Sequence, residues 1–91
     1  MKTETYINLR SATGKCEDAH FACMQEWITR RKDPVVGERC RTSARKYKNA
    51  LEAELAYLKT RPQSAEVIQR IHETLDFLKI IARDISFLSG N

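Results

Sequence analysis

The sequence predicts an all-α fold, a small antiparallel three-helix bundle, and three observations lead there. Apolar residues recur at helical spacing through three long segments. Two proline-containing breaks, Asp33-Pro34 and Thr60-Arg61-Pro62-Gln63-Ser64, separate those segments. Only three Gly and two Pro occur in 91 residues, and no stretch alternates like a strand. A chain of this length forms one domain, residues 1–91. Its 42% apolar and 31% charged content is too apolar for a disordered tail.

The first segment carries Tyr6, Leu9, Cys16, His20, Cys23, Met24, Trp27 and Ile28 on one helical face. Gly14 interrupts it, and glycine within a helix costs about 1 kcal/mol relative to alanine. The pattern therefore reads as a short helix at 4–11 and a firmer one at 15–31, broken near Gly14; a single kinked helix is the alternative. Trp27, the one tryptophan, closes the face as a core anchor.

The residue before a proline avoids the α region, so Asp33 ends the first segment. Asp33 then caps a helix over 34–59 with Pro34 as its first residue. Val36, Cys40, Ala44, Tyr47, Leu51, Leu55 and Leu58 form its stripe. Ala50, Ala53 and Ala56 widen it, while Gly37 weakens its first turn.

Pro62 closes the second helix, and Ser64 is a better cap by type than Arg61 for a third helix over 64–88. Gly90 stands where a left-handed residue would end it. Its stripe is Ile68, Ile71, Leu75, Leu78, Ala82 and Ile85, in steps of three and four. Phe77, Ile80, Ile81, Phe87 and Leu88 spread apolar character around much of the circumference. Such a helix is either the middle member of the bundle or one that also meets a partner. Short connections favour antiparallel neighbours. Folding the chain back near Arg61 sets Leu55, Leu51, Tyr47, Ala44 and Cys40 against Ile68, Ile71, Leu75, Leu78 and Ala82.

The net charge of +4 is concentrated. Arg30, Arg31, Lys32, Arg39, Arg41, Arg45, Lys46 and Lys48 are opposed within their segment only by Asp33 and Glu38. A basic end on a mildly acidic body suits an anionic partner, either phosphates or a carboxylate-rich groove. Arginine outnumbers lysine there, which suits bidentate contacts. The plain alternative is a solvated face, helped by Glu38, Glu52 and Glu54. No helix-turn-helix, zinc-finger, RNA-recognition or KH motif is present, and no aromatics interleave with the arginines. RNA or DNA contact is therefore expected without sequence specificity. A second candidate surface is Phe77, Ile80 and Phe87, which is core if the first helix covers it and a protein interface, including a homodimer interface, if not. The core reading is favoured, because one helix of a three-helix bundle must touch both others.

Chemistry beyond binding has little to stand on. Cys16 and His20, one turn apart, are the weak metal candidates, but no Cys-x2-Cys knuckle accompanies them. Ser11-Ala12-Thr13-Gly14-Lys15-Cys16 echoes a phosphate loop but has Leu9 for the first glycine and Cys16 for the magnesium-binding hydroxyl. No nucleophile elbow or oxyanion loop appears, so neither an enzyme nor a cofactor is expected. Three cysteines and a start lacking an apolar centre indicate reduced thiols in the cytoplasm, with no membrane partner.

At the level of class, a short, basic, motif-free helical chain looks like the small modulators of phages and mobile elements, anti-CRISPR inhibitors among them. That likeness implies a protein that docks onto a nucleic acid-handling, nucleoprotein complex and modulates or inhibits it. A homo-oligomeric helical adaptor and a small zinc-binding helical protein are the other two readings.

Overall fold

The computed structural model describes the backbone of residues 2–89 and the side chains of residues 5–89. Three helices follow one another: α1 (Lys2–Thr29), α2 (Pro34–Lys59) and α3 (Ala65–Leu88). They form an antiparallel all-α bundle. The position expected for Gly90 lies outside the described residues.

α1 runs through Gly14 without a break. A Cβ there would meet nothing within 4 Å, so the glycine answers no packing need. Thr13, beside it, is buried and donates to Glu54, which holds this turn of α1 against α2. Both expected caps form. Asp33 Oδ1 accepts from Val35 N at 2.8 Å with Pro34 in the first turn, and Ser64 Oγ accepts from Val67 N at 3.3 Å.

The middle helix is α2, not α3. Both α1 and α3 pack along α2, whereas no described Cα of α1 lies within 8 Å of one in α3. The molecule is correspondingly flat, 45 × 23 × 15 Å. α1 and α3 meet through long side chains only. His20 Nε2 lies 2.9 Å from Asp84 Oδ2, and Trp27 sits edge-on to Phe87 with ring centroids 5.5 Å apart.

The core follows α2: Val36, Cys40, Ala44, Tyr47, Leu51 and Leu58 are buried, joined by Trp27, Ile81 and Leu88. Two features depart from the sequence pattern. On α3 the buried line is Thr74, Ile81 and Leu88, while Ile68, Leu75 and Ala82, set against α2 by simple hairpin folding, are exposed. On α2, Glu54 is fully buried and Leu55 only partly so.

One cause links both departures. Glu54 receives Arg10 Nη1 at 3.2 Å from α1, Arg70 Nε at 3.0 Å from α3, and lies 2.9 Å from the Thr13 hydroxyl. A buried carboxylate costs several kcal/mol unless paired. Rotating α3 so that Arg70 reaches Glu54 and Asp84 reaches His20 turns Leu75 outward and Thr74 inward. Thr74 is tolerated there because its hydroxyl bonds Arg70 O at 2.8 Å. Ile28, assigned to the inner face of α1, is 62% exposed.

Candidate binding surface

The bend between α1 and α2 is built from basic residues. Lys32 N donates to Trp27 O at 2.8 Å and Arg31 N to Ile28 O at 3.1 Å. This is the Schellman closure of a helix C-terminus. It requires a left-handed backbone, and here two successive non-glycine residues adopt it, Arg31 at φ 55° and Lys32 at φ 63°. Glycine takes that conformation freely; a residue with a Cβ pays roughly 1–2 kcal/mol.

The eight basic residues divide into two groups. Glu26 takes Arg39 at 2.8 Å and Arg30 at 3.6 Å, and Lys48 pairs with Glu52 at 3.2 Å. Hydrogen bonding to Glu26 raises the Arg39 pKa. Arg41 turns inward, donating to Glu38 and to the Leu88 carbonyl, so it satisfies an orphan group at the end of α3. The Arg41 bond holds the Glu38 carboxyl below its usual range. Arg31, Arg45 and Lys46 are exposed and form no ion pair among the described residues. Lys32 places its ammonium over Phe87, 5.0 Å from the ring centroid, and 5.7 Å from that of Trp27. The eight side chains are therefore not one continuous cationic face. The bend is the open part; Arg41 is committed within the molecule, while Arg39 and Lys48 hold exposed, exchangeable ion pairs.

Apolar surface adjoins this end. Of the strip expected on α3, Phe77 packs against the core, while Ile80 and Phe87 are about half exposed. Phe21 and Ile28 of α1 are exposed as well. The side chains of Trp27, Phe87 and Leu88, with Lys32, Pro34, Gly37 and Arg41, surround a cleft of about 370 Å³ at the basic end.

The other candidates lead elsewhere. Cys40 is buried, and burial together with the Cys23 thiol pushes its pKa up to about 12, which suppresses the thiolate. Cys16 and Cys23 sit partly buried at the edge of the core. His20 is buried with Nε2 on Asp84, and its Nδ1 has no hydrogen-bond partner. Among the described residues, no three His, Cys, Asp or Glu side chains form a metal-binding group. Nor is any described helix long and apolar enough to cross a membrane.

The Glu54 cluster is not apparent from charge patterning, in which Glu54 reads as part of a solvated face. A signal was present: Glu54 follows Tyr47 by seven residues and Leu51 by three, so it lies on the apolar stripe itself. Tyr47 is satisfied similarly, its hydroxyl donating to Glu17 at 3.1 Å; burial, reinforced by the Glu17 carboxylate, raises its pKa. What the surface offers chemically is a set of hydrogen-bond donors and cations against apolar walls. Comparison with family models, with curated proteins and with solved structures returns no match for this chain.

Proposed function

We propose that this chain is a non-enzymatic binding protein that docks through its basic end onto a nucleic acid-handling complex and modulates or blocks it, in the manner of the small inhibitors of phages and mobile elements. The carrying observation is the pair of strained, exposed cations at the bend. Arg31 and Lys32 hold left-handed positions that glycine would fill at lower cost. Retaining side chains where the backbone disfavours them is a mark of functional use. Three free cysteines suit action in the reducing cytoplasm.

The test is affinity capture of partners from host lysate with the tagged chain, with and without nuclease. Arg31→Glu combined with Lys32→Glu abolishes capture while the circular dichroism spectrum stays helical. Arg31→Gly raises unfolding free energy by about 1 kcal/mol through strain relief, yet weakens capture. Undiminished capture by the double variant overturns the proposal.

A second reading, a homo-oligomeric adaptor, draws on a separate observation: Phe21 and Ile28 on α1 and Ile80 and Phe87 on α3 are large apolar side chains left exposed. It predicts a dimer in multi-angle light scattering that Phe87→Glu converts to monomer. A monomeric wild-type chain at high concentration eliminates it.

A further inference from the structure

α1 and α2 face each other in a regular register. Tyr6 stacks on Tyr57 with ring centroids 5.8 Å apart, the Tyr47 hydroxyl donates to Glu17 at 3.1 Å, and the Trp27 indole packs against Gly37. Steps toward the bend in α1 are matched by equal steps in α2. Cys23, between Glu17 and Trp27, therefore falls opposite Cys40, between Tyr47 and Gly37. Both side chains belong to the same core cluster, and their thiols are direct neighbours. Gly37, Cys40 and Ala44 form a row of small, buried residues on α2, at steps of three and four, which lets α1 approach closely there.

The third thiol is excluded by distance. Cys16 lies two helical turns from Cys23, about 10.5 Å along the axis of α1. Its level on α2 is that of Tyr47 rather than Cys40. A disulfide needs α-carbons within about 7 Å of one another. One pair of the three cysteines thus has the placement for a bond. Its two members differ in access: Cys40 has no exposed surface, whereas Cys23 is partly exposed at the edge of the core. Arg39 and Glu26 are charged groups beside the sulfurs.

We propose that Cys23 and Cys40 are a reversible dithiol–disulfide pair, with Cys23 the attacking thiol, Cys40 the resolving thiol, and a low-molecular-weight disulfide such as oxidised glutathione the oxidant. The Cys23 thiolate attacks one sulfur of the oxidant, whose S–S bond breaks, and one glutathione leaves as thiolate. Cys40 then loses its proton, and its sulfur attacks that of Cys23 in the mixed disulfide and expels the second glutathione. Two protein thiols become one disulfide, oxidised glutathione becomes two thiols, and the two protons lost by the protein are the two they gain. Burial keeps Cys40 protonated and out of reach of the oxidant, so the order of the two steps is set by the fold. The bond staples α1 to α2 within about two turns of the basic bend, whichever partner is met there.

The full reduced chain is incubated in native buffer with oxidised glutathione, quenched in acid and mapped by mass spectrometry. Trypsin releases residues 16–30 and 40–41, and fragmentation of the linked product assigns the bridge to Cys23 or to Cys16. The expected product is a monomer with a Cys23–Cys40 bond and no glutathione on either sulfur. Its urea midpoint rises by about 1 M or more, because the bond closes a short loop in the unfolded chain, and dithiothreitol reverses the rise. Cys40→Ala holds glutathione at Cys23 as a stable mixed disulfide, and Cys23→Ser leaves Cys40 unmodified. A bridge from Cys16, a disulfide-linked dimer, glutathione persisting on Cys23 of the unsubstituted chain, no reaction, or a midpoint that the bond does not raise overturns the proposal. The unsubstituted chain decides these outcomes by itself, so a poorly folded Cys40→Ala variant does not protect the idea.

Discussion

Arg70→Met lowers the unfolding free energy by about 3 kcal/mol, measured by urea denaturation near neutral pH. Glu54 is fully buried, and Arg70, itself 19% exposed, is its better-shielded partner. The remaining guanidinium, Arg10, is 44% exposed and more strongly screened by water. Removing Arg70 therefore leaves a carboxylate in the core with a weak counter-charge. Replacing both members, as Glu54→Leu with Arg70→Met, recovers most of the loss, because the buried charge goes with its partner. A cost below about 0.5 kcal/mol for Arg70→Met would show that the pair is dispensable.

The effect has a pH signature. Burial raises the Glu54 pKa, and the Thr13 hydroxyl opposes that rise. The folded state thus holds this proton more tightly than the unfolded chain does. The group favours folding below the ordinary carboxylate range, and that contribution is lost as pH climbs through the raised value. Losing Arg70 removes support for the charged form, so the variant is penalised less at about pH 5 than at about pH 8. A penalty that grows on acidification contradicts this assignment.

Leu51→Ala is the second large effect, a loss of about 2–5 kcal/mol. Leu51 has no exposed surface and sits on the helix that both others pack against, so collapse into the space is resisted from two sides. Leu75→Ala, also on an apolar stripe by sequence, costs under about 1 kcal/mol because Leu75 is 39% exposed. Denaturant midpoints of the two variants give the contrast directly; equal losses would place Leu75 in the core.

That contrast shows where sequence reading ends. The three helices, the Asp33 and Ser64 caps and most of the α2 stripe were legible, because each depends on residues near in sequence. The rotation of α3 was not. Ile71, Leu78 and Ile85 belong to both possible stripes, so apolar counting left the choice to Leu75 against Thr74 and favoured the greasier residue. What decides it is a contact between distant positions, Glu54 with Arg70, reinforced by His20 with Asp84. Charge counting placed the basic zone but not its internal pairing. Glu26 and Glu38 withdraw several of its members, and Glu26 lies on another helix. The cleft beneath Lys32 could not be foreseen, since it depends on how Gly37 faces Trp27 across the bend.

The central position of α2 has a consequence for how the molecule comes apart. Each outer helix is joined to α2 by a short connection and shares no close backbone approach with the other. The chain is thus two hairpins with one common strut, and either outer helix can detach while the remaining pair keeps its backbone packing. Three contacts tie these two openings together: Glu54, which holds α1 through Arg10 and Thr13 and α3 through Arg70, His20 on Asp84, and Trp27 edge-on to Phe87. A few side chains spaced along the ribbon thereby couple two otherwise separable folding units: a buried carboxylate cluster near one end, and an aromatic pair with the Arg41–Leu88 bond at the basic bend.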